Sequence, residues 1–314
     1  MTRAIQYQHF GGPEVLEIAD VIDAVPGPHQ VRVSTRAAGL NPVDWKVFSG
    51  MIGKDASHLP QGVGHDFSGV VSAIGSEVSN LAVGDAVFGT LWAAPGQSQV
   101  VGALSEQVVV SADEVLRKPE ALGFTEAAAL GIVALTASGA LRTLALTSDD
   151  VLVVSAASGG VGSLAVQLTT HRGVPVIGIA SERNADYLRS LGAVPVAYGE
   201  GLASRIRSVA SRPVTKLLDC HGPEYVDLAL SLGLAPEAIG TLVPSPEAVA
   251  KGVHVTGMRH AGPADLKEVA DLVAGGVLKI QVAHVYPFDV ESVRSAYTTL
   301  REGHVRGKLV VTIA

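Results

Sequence analysis

Residues 151–162 read VLVVSAASGGVG, and this run carries the clearest chemical signal in the chain. Val151 to Ser155 is short, uncharged and rich in β-branched residues, as expected for a strand buried on both faces. Gly159, Gly160 and Gly162 follow at once, and Ser163 to His171 then reads as an apolar helix. Glycines let a backbone approach a pyrophosphate closely, and the unpaired N–H groups that open a helix favour its charge. Strand, glycine turn and helix is the setting in which a glycine pattern predicts a dinucleotide site. The usual G-x-G-x-x-G appears here as Ala157-Ser158-Gly159-Gly160-Val161-Gly162, with alanine in the first position. Ser158, Gly159, Gly160, Val161 and Gly162 are therefore the predicted pyrophosphate-binding residues.

The next strand bears on which dinucleotide. Val174 to Ala180 is a second buried run, and Ala180 stands 18 positions after Gly162. An NAD-specific site places an Asp or Glu near this point to bind the ribose 2′-hydroxyl. This chain has Ala180 followed by Ser181, Glu182 and Arg183. Losing the carboxylate removes a repulsion of about 4 kcal/mol for like charges some 4 Å apart near a surface. Ser181 can donate a hydrogen bond to a 2′-phosphate, and Arg183 can add charge-assisted ones. Glu182 opposes this unless it faces solvent. The predicted cofactor is NADPH.

Composition frames these motifs. A chain of 314 residues can form two domains with real cores. With 47% hydrophobic and 17% charged residues, extensive disorder is excluded. A net charge of −7 argues against nucleic acid or an anionic membrane as partner. The first residues, MTRAIQYQHFGG, lack the basic and apolar regions of a signal peptide. The longest uncharged apolar stretch, Ala127 to Leu141, is too short to span a bilayer. The one cysteine, Cys220, excludes an internal disulfide and a cysteine-cluster metal site, so the expected setting is cytoplasmic.

The elements that must position the motifs change character twice along the chain. Met1 to about Ala121 shows short β-rich runs punctuated by Gly and Pro, which predicts a barrel-like all-β unit. Leu122 to about Met258 alternates strands with helical stretches, the pattern of a covered parallel sheet. Its strands are placed at 151–155, 174–180, 194–197, 215–219, 239–243 and 253–257. Asp265 to Gly275 reads as an amphipathic helix, and the closing KLVVTIA as a strand. No repeat or low-complexity segment is present.

These residues carry a resemblance. AAGLNPVDWKVFSG (37–50), GHDFSGVVSAIGSEV (64–78), VGDAVFG (83–89), EAAALGIVALTA (126–137), SAASGGVGSLAVQL (155–168), ASERNADYLRSLGA (180–193) and GHVRGKLVV (303–311) occur in an ordered series. In these the chain resembles the medium-chain dehydrogenase/reductase superfamily, in its zinc-independent, quinone-oxidoreductase-like branch, over essentially its whole length. The resemblance implies an α/β fold: a GroES-like β-barrel catalytic domain plus a Rossmann domain with a doubly wound parallel sheet. It implies a catalytic domain over 1–121, an NADP-binding domain over 122–258, and a return to the first domain over 259–314. The active-site cleft is expected between the two.

The zinc-dependent members of the superfamily share the signature Gly64-His65-Asp66-x-x-Gly69-x₅-Gly75-x-x-Val78, with Asp66 where Glu is usual. There the histidine binds catalytic zinc together with two cysteines. Here the cysteine positions hold Asn41 and Ile132, and the proton-relaying hydroxyl is replaced by Val43. A catalytic zinc needs three protein ligands, so zinc-dependent alcohol oxidation is excluded on this reading. His65 and Asp66 are expected to be structural hydrogen-bonding residues.

Hydride transfer without a metal remains. It suits conjugated acceptors, whose developing negative charge needs a hydrogen-bond donor in place of a Lewis acid. By resemblance the segment from Asn41 to Lys46 faces the nicotinamide. Asn41 is the candidate contact to cofactor or substrate carbonyl, and Lys46 the candidate proton source, where quinone-reducing relatives often carry Tyr. Asp44 completes the candidate catalytic set, and the alternative for Lys46 is a surface ion pair with Asp44. Thr136 resembles a position near the nicotinamide, and Trp45 is expected to pack. Cys220 reads as a small buried residue, and Arg306 and Lys308 as interdomain or surface charges. Gly89 to Gly102, with Trp92, is expected to line a pocket for a small hydrophobic conjugated carbonyl or quinone.

The expected function is NADPH-dependent, zinc-independent reduction of a quinone or an α,β-unsaturated carbonyl. One alternative is an enoyl reductase acting on a carrier-bound chain, for which no strong basic cluster exists beyond Arg205, Arg207 and Arg212. The other is a non-catalytic NADPH-binding protein. A homodimer formed along the sheet edge around 239–257 is implied by the resemblance.

Overall fold

A computed structural model of the protein describes residues 1–91 and 101–313. Most of the predicted pocket loop, Trp92 included, lies outside the described residues. The chain divides into two compact units, Met1–Ile132 with Leu266–Ala314, and Val133–Asp265.

The first unit begins with β1 (Thr2–Tyr7), β2 (Leu16–Val21), β3 (Gln30–Leu40), α1 (Pro42–Phe48), β4 (Gln61–Gly62) and β5 (Asp66–Ile74). It continues through β6 (Ala86–Thr90), β7 (Gln107–Ser111), β8 (Val115–Arg117) and α2 (Phe124–Ala128). The division between the units falls within α3 (Gly131–Leu144). The second unit holds β9 (Leu152–Val154), α4 (Gly160–His171), β10 (Val176–Ala180), α5 (Ala185–Ser190), β11 (Val194–Ala197) and α6 (Leu202–Val209). After these come β12 (Lys216–Asp219), α7 (Glu224–Ser231), β13 (Ile239–Thr241), α8 (Pro246–Ala250) and β14 (His254–Val255). The last elements are α9 (Pro263–Ala274), β15 (Val282–Pro287), α10 (Val290–Glu302) and β16 (Lys308–Thr312).

In the first unit β3 organises a seven-stranded sheet in the order β15-β16-β3-β5-β6-β8, with β7 beside β3. A three-stranded sheet, β2-β1-β4, accompanies it. The sequence of β3 explains its two halves. From Gln30 to Thr35 burial alternates, with Val31 and Val33 turned inward, as in a sheet wet on one face. From Ala37 to Leu40 all residues are small or apolar and all are buried. Gly39 is needed there, because a Cβ would stand 2.2 Å from the Ala128 carbonyl oxygen of α2. The core gathers Tyr7, Leu40, Phe48, Phe67 and Tyr297. The rings of Phe48 and Tyr297 meet edge to face, 5.1 Å between centroids. Such pairs add about 1 kcal/mol beyond area burial.

The second unit is a parallel six-stranded sheet, β11-β10-β9-β12-β13-β14. All six predicted strands are present and pair in parallel, and all but β11 are shorter than the runs that announced them. Ile177, Val153, Leu217 and Ile239 lie side by side in register and form a row of its core. Burying each such side chain contributes about 1.5–3 kcal/mol. The order runs outward from β9 in both directions, the hallmark of a doubly wound Rossmann sheet.

Candidate active site

The carboxyl end of β9 is the switch point of the sheet, because β10 and β12 flank it on opposite sides. There Ala156 takes φ +45°, and Gly159 becomes the N-cap of α4. At Gly162 a Cβ would stand 2.4 Å from the Ala156 carbonyl oxygen and 2.8 Å from Ala157 Cα. Glycine is thus what allows the first turn of α4 to settle against the strand end. No side chain caps α4, so the N–H groups of Gly160, Val161 and Gly162 lack intrahelical partners at the positive end of the helix dipole.

Asn184, buried just beyond β10, was not anticipated from the sequence. Its amide donates to Ser158 Oγ at 3.0 Å and Ser181 Oγ at 3.1 Å, which brings two predicted cofactor residues together. Arg183 and Glu182 are both exposed. Thr136 belongs to another part of the unit, half-buried on α3 with its methyl 3.6 Å from where a Cβ on Gly257 would stand.

Beside the turn, Asp219 ends β12. It accepts from Ser155 Oγ at 2.9 Å, Thr241 Oγ at 2.8 Å, and the N–H groups of His221 at 2.8 Å and Gly222 at 3.0 Å. Burial still pushes its carboxyl up. Cys220 follows, its thiol pushed up by burial and by the Asp219 charge. A thiol held protonated is a poor nucleophile, and the residue expected to be buried is half-buried.

The first unit holds a second cluster, assembled by strand register. Leu309 of β16 pairs with Leu40 of β3, which sets Lys308 beside Asn41, while Gly39 pairs with Asp66 of β5. Lys308 Nζ donates to Asn41 Oδ1 at 2.5 Å and to Asp66 Oδ2 at 3.3 Å. Asn41 Nδ2 donates to Asp66 Oδ2 at 2.8 Å. Asp66 Oδ1 accepts the Ile132 N–H at 2.8 Å and so caps the start of α3. Gly131 makes room for this, since a Cβ there would stand 2.1 Å from Asp66 Oδ1.

Asp44, in the first turn of α1, reaches back to the Asn41 N–H at 2.8 Å. The same oxygen accepts from Tyr297 Oη at 3.0 Å, and its other oxygen lies 2.5 Å from His65 Nδ1. Burial pulls the His65 imidazole down, but the Asp44 hydrogen bond and the charges of Asp44 and Asp66 outweigh it and hold the pKa above the usual 6.5. Burial pushes the Tyr297 hydroxyl well above 10, with the Asp44 charge adding. Tyr297 arrives from α10, which Asp289 caps through the Ser292 N–H at 2.8 Å.

Three expectations change. Lys308 is no surface or interdomain charge: it is 4% exposed and anchors this cluster. Lys46 does not pair with Asp44, which serves His65 and Tyr297; its ammonium lies 5.9 Å from the Trp45 ring centroid. The Asn41 amide is engaged on both sides by Lys308 and Asp66. His65 and Asp66 both make side-chain hydrogen bonds within this cluster. Among the described residues no three His, Cys, Asp or Glu side chains group so as to hold a metal ion, and no helix is long and apolar enough to cross a membrane.

Comparison with known proteins fits both halves. Residues 27–120 match the alcohol dehydrogenase GroES-like domain, and residues 191–311 match the zinc-binding dehydrogenase family. The quinone oxidoreductase of Pseudomonas aeruginosa is 40% identical over 195 residues, 62% of this chain and 57% of that protein. That match thus spans little over half of the relative's length. The mitochondrial NAD(P)H oxidoreductase RTN4IP1 of Bos taurus is 31% identical over 97% of this chain and 87% of that protein. The structure of Escherichia coli quinone oxidoreductase complexed with NADPH superposes over 100% of both chains, with a TM-score of 0.85 and 26% identity. The chain belongs to the medium-chain dehydrogenase/reductase superfamily, in its quinone-oxidoreductase-like branch.

Proposed function

We propose that this protein is an NADPH-dependent, zinc-independent reductase that transfers a hydride to a quinone or an α,β-unsaturated carbonyl compound. The observation that carries the reading is the buried ammonium of Lys308, 2.5 Å from Asn41 Oδ1. Asn41 and Ile132 stand where zinc-dependent relatives have cysteine ligands, and a fixed positive charge beside Asn41 repels any cation placed there. Like charges about 4 Å apart cost about 4 kcal/mol near a surface, and a divalent ion more.

The pyrophosphate of NADPH is assigned to the uncapped start of α4, which Gly162 lets pack against the strand end. Ser158, Gly159, Gly160 and Val161 would hold it, with Ser181 and Arg183 toward the 2′-phosphate and Glu182 facing solvent. Thr136 is assigned to the nicotinamide end. When bound, the dihydronicotinamide supplies the hydride. Asn41, Asp44 and Lys46 are assigned to the substrate side, where a hydrogen-bond donor must meet the charge that develops on the acceptor. The substrate is small, hydrophobic and conjugated. A homodimer along the β14 edge and a cytoplasmic setting complete the reading.

The test is consumption of reduced nicotinamide with benzoquinone, phenanthrenequinone, cyclohexenone and crotonyl-coenzyme A, NADPH and NADH run in parallel. Turnover of quinones or the enone with NADPH supports the proposal. Turnover of the thioester alone moves the assignment to a dedicated enoyl reductase. Binding without turnover would leave a non-catalytic NADPH-binding protein.

A further inference from the structure

Two side chains of the kind that cap helices stand just past β10, and neither caps one. Asn184 holds the N-cap position of α5, and Ser181 that of the short helical turn Glu182–Asn184. Asparagine and serine are favoured at such positions because their side-chain oxygens accept the first free N–H groups of the helix. Neither side chain makes that bond here. The Asn184 amide turns instead toward the glycine turn, donating to Ser158 Oγ at 3.0 Å and to Ser181 Oγ at 3.1 Å. The backbone holds the same arrangement. The Asn184 N–H donates to the Ser181 carbonyl at 2.9 Å, and the Ala157 N–H ties the glycine turn to the Ile179 carbonyl of β10 at 3.0 Å. Asn184 is 7% exposed, so its amide is committed to these partners.

The contact has a direction. One amide nitrogen carries two N–H bonds, and both are used, one on each serine oxygen. Each hydroxyl therefore keeps its own O–H to give elsewhere. Among the described residues neither O–H meets an acceptor. Had the amide oxygen faced the serines, both O–H bonds would have been consumed.

We propose that Asn184 is a positioning residue serving both phosphate sites of NADPH, an assignment that rests on the NADPH reading above. It holds the two serine oxygens from behind, so that Ser158 presents its O–H to the pyrophosphate and Ser181 presents its own to the 2′-phosphate. Phosphate groups suit such donors because their charged oxygens accept and do not donate. A phosphate monoester carries close to two charges at neutral pH. Hydrogen bonds to it are about twice as strong as those between neutral partners. An unphosphorylated ribose offers Ser181 only a neutral hydroxyl and gains less. NADPH thus uses both oriented serines in full, and NADH only Ser158.

The experiment measures NADPH and NADH affinity of the whole chain by fluorescence titration, with thermal melts reporting stability separately. Wild type, Asn184→Ala, the double variant Ser158→Ala/Ser181→Ala and the triple variant are compared. Asn184→Ala should raise the NADPH dissociation constant about tenfold and that of NADH about threefold. Added to the double variant, the same change should move neither constant by more than about twofold, because the hydroxyls through which it acts are gone. Adenosine 2′,5′-bisphosphate and adenosine 5′-monophosphate, titrated by calorimetry, should show the same selective loss without a nicotinamide present. If Asn184→Ala fails to fold, Asn184→Leu is read against the same criteria, since it keeps the volume and removes both donors. A merely structural role would weaken both cofactors alike and would do so with or without the serine hydroxyls; that result overturns the proposal. So does an Asn184→Ala protein that binds NADPH like wild type while the double serine variant does not. A wild type that binds NADH as tightly as NADPH overturns the NADPH reading and the proposal together.

Discussion

Each unit buries a carboxylate at the end of an interior strand, and the two are satisfied in opposite ways. Asp66, at the start of β5, faces the ammonium of Lys308, the amide of Asn41 and the Ile132 N–H in the first turn of α3. Asp219, at the end of β12, accepts only from neutral donors, two hydroxyls and two backbone N–H groups. Its four neutral hydrogen bonds tie the ends of β9, β12 and β13 together. The Asp66 ion pair instead keeps two opposite charges buried together, next to the hydrogen bond between Asp44 and His65.

Removing one partner from each carboxylate should separate the two sharply. Lys308→Met leaves Asp66 buried without its cation and should cost about 3–5 kcal/mol in denaturant unfolding. Asp66→Asn with Lys308→Met should recover much of that, since both charges then leave together. Thr241→Val removes one of the four donors to Asp219 and should cost only about 1–2 kcal/mol. Equal losses in the two single variants would erase the distinction.

Gly162→Ala comes next. Its Cβ must clear a carbonyl oxygen 2.4 Å away, at about 1–3 kcal/mol for overpacking against backbone. NADPH affinity, read by fluorescence titration, should fall more than about tenfold, and unchanged affinity would remove the pyrophosphate from this turn. The pH dependence of stability is a smaller effect. Because the folded pKa of His65 lies above the ordinary 6.5, its charge stabilises the fold in full below pH 6.5 and loses that contribution as pH rises through the folded value. Thermal melts of wild type and His65→Gln should therefore converge on the alkaline side, and divergence there contradicts the dyad. Smallest is Arg183→Ala. For an exposed guanidinium, the NADPH dissociation constant should rise by about five- to tenfold with that of NADH little changed. Equal effects on both cofactors refute its contact with the 2′-phosphate.

The parallel sheet was legible because strands buried on both faces read as unbroken β-branched runs, as in Val151 to Ser155 and Val174 to Ala180. Glycine marked where such a strand must turn into a helix. The helix expected over Asp265 to Gly275 appears as Pro263–Ala274, a difference confined to its ends. The first-unit cluster was not legible. Its members lie far apart in the chain, Asn41 from Lys308 and Asp44 from Tyr297, and are joined by register between β3, β5 and β16 and by α10. A lysine in GHVRGK reads as a solvated charge because lysine is seldom buried. The available signal was its place at the head of KLVVTIA, a strand apolar enough to be interior, where a lysine requires a buried partner. Asn184 escaped for a related reason, since an asparagine just past a strand end reads first as a turn residue.

On the proposed reading, a buried lysine and asparagine stand where zinc-dependent relatives hold their metal, in an enzyme that reduces conjugated acceptors. Its most direct test is the rate of NADPH consumption with a quinone or enone after exhaustive chelation and again after zinc is restored. The expected result is one undiminished rate in both conditions. A rate abolished by chelation and returned by one equivalent of zinc would contradict it.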